Sequence, residues 1–559
     1  MALSKRRPQP HRKARPSSTP NPIIRRNVTI GAPDAESDRE FLRSCFVDTG
    51  DLAALRDCSN PQTVVLGRTG AGKSALLSRL LEIEQHAVEL LPETLALNYI
   101  ANSNIIQFFE TAGVRLDLFY KLLWNHVLTV ELLKLRYPQN GSSRKFEIIS
   151  ALRQLLDKNE GKERALKYLE QWGDKFWERT EDRIREFTTK LESDLRASAK
   201  GDFAVADLNA EFASKLSREE KREIVNRAND TVNRVQIREL ADLISLLSDD
   251  VFNDPQKRYF VVIDRLDEGW AEDKIRYKLI KALLESVRAF RKVRNVKIVI
   301  ALRTDLHQRV LRETVSAGFQ EEKYHALYLH LRWTREQLKR LLSDRVSFMF
   351  RRQYSDSRIS IEEILPPNQK GQKSALDYIL DRTFHRPRDA IMFINECIKQ
   401  AEGQTRISAQ TLRAAEIVYS RQRLDALADE WIDDYPALKA CTKVLIKRPP
   451  EFTLAELKDE EVEDFAFELL QLHGAERDPT IGRAEQCVLG DIFPIGEFVR
   501  YLASVFYQVG LIGAKLNSFT GMEWSYVDHP LLDLRQVDAT TKLQIHPTFW
   551  AALGVARRA

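Results

Sequence analysis

The apolar positions of this chain fall into a few short unbroken runs set among long, charged, helix-spaced stretches. Arg258-Tyr-Phe-Val-Val-Ile-Asp264 is apolar and β-prone at every interior position, without alternation. That pattern predicts a strand buried on both faces of a parallel sheet. A second such run, Val296–Leu302, follows a helical pattern over Asp273–Val293, so the two strands and their helix form a βαβ unit. A third run, Thr63-Val-Val-Leu66, precedes a helical Ala75–Glu82, and Leu95–Ile100 is the expected next strand. Asp38–Asp57 reads as a helix leading into the first strand. From about 103 to 250 the pattern is helical and highly charged. It includes an apolar Leu116–Tyr137 and solvated or paired helices over Glu178–Ala199 and Ser217–Ser248. Beyond 330 helices are expected at Thr334–Arg352 and Ala375–Phe384, and from Pro387 through Cys397. After Pro436 come short helices, then strands at Leu511–Lys515 and Trp524–Asp528 about a turn at Ser518–Gly521, a winged-helix-like order.

Composition narrows the class. A chain of 559 residues with 43% hydrophobic positions fits several soluble domains. No apolar run approaches the roughly 20 residues that span a bilayer, and no signal-peptide pattern opens the chain. Five scattered cysteines, with no C-x-x-C pair, read as buried thiols in a cytosolic protein. The formal charge is +5, yet residues 1–26 hold eight Lys or Arg and no acid, leaving about −3 for the rest. With five prolines, that arm is expected to be disordered. It is either a tether to DNA or another anionic partner, or a solvated tail.

The chemistry is concentrated in Gly67-Arg68-Thr69-Gly70-Ala71-Gly72-Lys73-Ser74, a complete G-x-x-x-x-G-K-[ST] loop, with Ala75 entering the helix. Strand, glycine turn and helix N-terminus aim backbone N–H groups at one anion. Lys73 is placed to reach the β- and γ-phosphates of ATP, and the Ser74 hydroxyl to bind Mg2+. Asp264, at the end of its buried strand, is the second Mg2+ residue, and Asp267 or Glu268 the general base. Arg303 or Thr304, at the end of the next strand, would sense the γ-phosphate, unless Arg303 is a structural partner of Asp305.

The two motifs, with Val261-Val-Ile-Asp-Arg-Leu-Asp-Glu-Gly-Trp270, resemble the additional-strand P-loop ATPases of the AAA+ and STAND assembly. The D-x-L-D-E form is similar to the NACHT and KAP branches. It looks most like a bacterial P-loop ATPase family with an I-D-R-L-D-E-G-W second motif. The resemblance covers roughly 38–430. It implies that Arg303 is a polar sensor and that Arg386-Pro-Arg-Asp389 is a lid motif in which Pro387 or Arg388 reads nucleotide state. The other reading of Arg386–Arg388 is a helix start with proline near its first position.

The expected fold class is therefore α/β, a parallel-sheet P-loop core with a helical insertion, a helical lid and a winged-helix-like C-terminal module. The expected segments are an arm over 1–33, a core over 34–330 with the insertion at about 103–250, a lid over 331–433 and a module over 434–559. Lys73 and Asp264 lie 191 positions apart, where two βα units need only about 60–80. Missing N-K-x-D, L-S-G-G-Q and G-x-S-x-G motifs disfavour a GTPase, a transporter ATPase and a serine hydrolase. The leading expectation is an ATP-hydrolysing switch that toggles lid and C-terminal module, alone or as a homo-oligomer, and by resemblance a sensor, in bacterial defence among other settings. The second is a DNA-binding ATPase of origin-recognition type. A third is structural ATP binding without turnover, which the acids at 264, 267 and 268 weigh against.

Overall fold

The computed structural model describes residues 23–95, 104–137 apart from 115, 144–154, 210–226 apart from 223, 237–314, 321–354, 359–368, 371, 373–474, 477–489, 494–527 and 531–555, with scattered positions between 163 and 197. The chain divides into two compact units.

The first unit holds residues 33–338 together with 385–388. Its core is a five-stranded, wholly parallel sheet built from β1 (Val64–Gly67), β2 (Ala87–Leu90), β3 (Tyr259–Ile263), β4 (Val296–Arg303) and β5 (Tyr328–His330). The order is β2-β3-β4-β1-β5, so β4 stands between the loop strand and the acid strand, as an additional-strand core requires. Side chains of β3 and β4 alternate between two cores. Val261, Ile263, Ile298 and Ile300 face the larger cluster, and Phe260, Val262, Val299 and Ala301 the smaller. Both faces being covered explains why these strands lack polar alternation. Each buried aliphatic contributes about 1.5–3 kcal/mol.

The helix after β1, Lys73–Ile83, buries Leu76, Leu77 and Leu80 in the smaller cluster. On the other face Asp273–Phe290 packs beside Asp117–Arg136, and the Trp124 indole donates to Leu279 O at 2.9 Å. The front of the expected insertion therefore lies on the sheet. Ile149, Leu152, Ala213 and Leu243 join the same apolar cluster. Most of the expected helix Glu178–Ala199 lies outside the described residues.

Three expectations need correction in this unit. Asp38–Asp57 holds two short helices, Arg39–Ser44 and Asp51–Arg56, broken where Gly50 takes a φ of 90°. The strand after the loop helix is Ala87–Leu90, while 96–100 lie outside the described residues. Cys58 is only partly buried, as is Cys487 in the other unit.

The second unit holds residues up to 32, then 339–384 and 389–559. Residues 1–22 of the expected arm lie outside the described residues, but 23–32 are ordered, which corrects the arm's boundary. Ile24 and Ile30 are fully buried, Ile24 exchanges backbone hydrogen bonds with Gly403 and Gln404, and Asn395 clamps Ile30 N and Gly31 O. These isoleucines supply apolar anchors that the Pro- and Arg-rich stretch before them lacks. Helix Ala409–Glu430 is tied to the chain's last helical turns, since Ser420 Oγ donates to Thr548 O and accepts from Ala552 N. Lid and C-terminal module thus pack as one compact unit.

The C-terminal sheet has three antiparallel strands in the order β6-β8-β7, with β6 at Glu451–Thr453, β7 at Ile512–Lys515 and β8 at Lys542–Ile545. The expected strand Trp524–Asp528 is not one. Only Glu523 makes a bridge, to Ala514, residues 525–527 form a turn, and 528 lies outside the described residues. Trp524 packs against the sheet instead, lying within 2.9 Å of where a Gly513 side chain would stand.

Candidate functional site

Every strand of a parallel sheet points its C-terminal end the same way, so groups following β1, β3 and β4 gather at one edge. Gly67 pairs in register with Arg303, and Ile263 with Ile300. The loop from Arg68 to Gly72 needs backbone that only glycine adopts without strain, with φ of 77° at Gly70 and 97° at Gly72. Lys73 Nζ turns back onto the loop, donating to Gly67 O at 3.0 Å and Arg68 O at 3.1 Å. Burial lowers its pKa, opposed by the carboxylates of Asp267 and Asp264. Thr69 Oγ1 is buried with no hydrogen-bond partner among the described residues.

Asp264 is 7% exposed, and its carboxylate meets both the Ser74 hydroxyl and the Arg265 amide, the latter at 2.8 Å. Burial raises its pKa against the pull of those hydrogen bonds and of Lys73. A hydroxyl and a carboxylate side by side make a hard oxygen pair suited to Mg2+, which keeps most other positions for water and phosphate. The loop and this pair fit a Mg-nucleotide.

The turn after Asp264 explains the Asp-Arg-Leu-Asp-Glu-Gly-Trp spacing. Leu266 and Trp270 are buried anchors, joined by the Trp270 indole donating to Leu266 O at 3.1 Å. Between them Asp267 and Glu268 are left at the surface of the site. Arg265 adopts φ 59° and ion-pairs with Glu36 at 3.3 Å and Glu268 at 3.7 Å. Buried Arg276 donates to Glu268 O at 3.0 Å and is held by Asp273. Burial raises the Glu268 pKa, partly offset by Arg265 and reinforced by Glu93. Asp267 faces Arg303 at 3.6 Å, and Arg303 is gripped by Asp305 through bonds of 3.1 and 2.6 Å. Arg303 thus makes the expected structural pair with Asp305 and also lies beside Asp267.

The lid motif reaches the loop's outer side. Arg386 donates to Thr69 O, Arg388 N to Gly70 O at 3.3 Å, and the Arg388 stem fills the space where a Gly70 side chain would stand. Its guanidinium donates to Pro33 O at 3.2 Å. Pro387 opens helix Pro387–Gln400, the position where its missing N–H costs nothing. Three contributors lie outside the sequence motifs: Arg276, Glu93 and Trp333, whose indole donates to Ala71 O. Of these, only Arg276 had a local cue, lying one helical turn into the segment after the acids.

Comparison with known proteins gives partial matches. Residues 336–428 match the FunZ-associated C-terminal helical domain. The chain is 22% identical over 547 residues to an Escherichia coli strain K12 protein provisionally named the transposon gamma-delta 80.3 kDa protein, covering 96% of this chain and 68% of that one. Among solved structures it is similar to a Walker-type ATPase of Pyrococcus abyssi, with 12% identity, 82% of this chain and 91% of that one covered, and a TM-score of 0.30. It is also similar to Cdc6p of Pyrobaculum aerophilum, with 13% identity, 95% and 92% covered, and a TM-score of 0.25.

Proposed function

We propose that this chain binds MgATP at the sheet edge and hydrolyses it, working as a regulatory switch of STAND or AAA+ type. The observation that supports this is the meeting of Lys73, Ser74, Asp264 and Asp267 at the C-terminal ends of β1 and β3, with Glu268 beside Asp267. Bound Mg2+, held by Ser74 and Asp264, would neutralise charge developing on the phosphate oxygens. Loop amides hold the phosphates, and the Lys73 ammonium exchanges its loop carbonyls for them. Glu268 accepts the proton of the attacking water, and Arg303 balances charge at the γ-phosphate. Arg388, set against Gly70, and Pro387 before it register whether the loop is filled. A sensor or signalling role, in bacterial defence among other settings, and a homo-oligomer follow from the resemblance, and a cytoplasmic location from the scattered cysteines. Among the described residues no helix is long and apolar enough to cross a membrane.

The test is phosphate release from ATP by the purified chain. Lys73→Ala should lower turnover by about 100-fold or more, as losing a group that stabilises transferring phosphoryl charge does. An unchanged rate removes the assignment.

One observation favours a second reading, DNA binding. The helices Asp459–Leu470, Pro479–Leu489 and Ile495–Val509 lie in the chain between β6 and the antiparallel pair β7 and β8, an order that supports a winged-helix reading. Together with the basic residues 1–26 it would give DNA affinity that falls steeply with salt. Deleting 1–26 should flatten that slope, and an affinity insensitive to salt in the full chain ends this reading.

A further inference from the structure

We infer that Trp333 is a positioning residue of the phosphate loop and that its indole reports nucleotide occupancy, an inference resting on the ATP site proposed above. The sequence delivers Trp333 there through β5, which pairs with β1. That pairing continues as Leu331 N donates to Leu66 O at 2.8 Å, and the Leu331 side chain lies 3.5 Å from where a Gly67 side chain would stand. Two residues later the Trp333 indole N–H donates to Ala71 O at 2.7 Å. Its six-membered ring lies 3.8 Å from where a side chain on Gly72 would stand.

The consequence follows from peptide geometry. Ala71 C=O and Gly72 N–H belong to one rigid trans plane and point in opposite directions. Holding the carbonyl outward against Trp333 fixes the Gly72 N–H on the other side, towards the cradle. Gly72 has a φ of 97°, and glycine is the residue least able to hold one conformation by itself. An external donor is therefore what keeps this plane from turning its carbonyl, a repulsive dipole, towards a phosphate. Arg386 does the same for Thr69 O. Trp333 differs in having a fluorophore against the loop, so displacement of the loop by a bound triphosphate alters its surroundings.

The experiment uses the full chain and Trp333→Phe, which keeps an aromatic ring and deletes the N–H donor. MgATP affinity should weaken about 2- to 10-fold, the size expected for one hydrogen bond. Turnover at saturating ATP should stay within about twofold, since the lost contact serves ground and transition states alike. The change in tryptophan emission on adding MgATP should vanish in the variant. A second measurement needs no substitution to fold: with 5-fluorotryptophan in the parent chain, one of the eight indole resonances should shift on adding MgATP. Equal affinity in the variant, an undiminished emission change, or eight unmoved resonances overturns the role of Trp333 while Lys73-dependent ATP binding leaves the site intact. A parent chain that binds no ATP overturns both.

Discussion

Replacing Glu268 with Gln should cut ATP turnover by about 100- to 10,000-fold while leaving ATP binding close to that of the parent, the range expected for loss of a general base. The substitution is nearly isosteric and removes only the ability to take a proton. Glu268 is favoured over Asp267 for three reasons. Burial and the neighbouring Glu93 raise its pKa, and a more basic carboxylate is the better proton acceptor. Its backbone is fixed by Arg276, so the side chain starts from a rigid point. Asp267, by contrast, faces the Arg303 guanidinium at 3.6 Å. Asp267→Asn should therefore act through Arg303 and lower turnover by about tenfold, roughly the worth of one partly exposed charge contact. Phosphate release and nucleotide retention, measured on both variants, separate the roles. If Asp267→Asn is the more damaging, the two acids exchange assignments. If neither matters, the hydrolytic site lies elsewhere.

The parts of the site that were legible in the sequence are those encoded locally. Gly67–Ser74 sets strand end, positive-φ glycines, lysine and hydroxyl at fixed offsets, and each offset has one physical purpose. Asp264 was legible because an acid ending an apolar run can only lie at the sheet edge. The order of the strands was not, because β4 takes its place beside β1 through pairings such as Val64 with Ile300, far apart in the chain. β5 is three residues long, Tyr328-Leu-His330, with one exposed histidine, and neither it nor Trp333 beyond it stands out in a sequence. In the C-terminal module Lys515 pairs with Lys542 across a connection far longer than a hairpin turn. Local pattern therefore favours the nearer segment, Trp524–Asp528, as the partner of β7. Ala87–Leu90 was overlooked because its Glu89 and half-buried positions resemble a loop more than an interior strand.

Asp389→Ala should destabilise the unit containing it by about 3–5 kcal/mol, the usual cost of leaving a buried charge unpaired. Asp389 ends the Arg386-Pro-Arg-Asp motif that the resemblance placed near the nucleotide, yet it is fully buried among the lid helices. One carboxylate oxygen accepts from Phe384 N at 3.0 Å, and the other lies 3.2 Å from Arg423 Nε. Arg423 comes from helix Ala409–Glu430 and is 2% exposed, so its guanidinium has no route to bulk water when the partner is removed. The pair thus joins the start of helix Pro387–Gln400 to the helix that carries Ser420 and the chain's final turns. Asp389→Asn keeps the volume and the bond to Phe384 N and should cost less than Ala, though it too leaves Arg423 without its countercharge. Asp389→Ala with Arg423→Leu should recover part of the loss, because removing both charges avoids the burial penalty that a single removal exposes. Thermal and denaturant melts of the three variants decide the matter. A single variant as stable as the parent shows that the charge is hydrated in solution. A double variant no better than Asp389→Ala shows that packing, and not the unpaired guanidinium, sets the cost. In either case ATP affinity gives the second half of the result. It should be unchanged wherever the fold survives, since in this motif Arg386 and Arg388 contact the loop while Asp389 holds the helix that presents them.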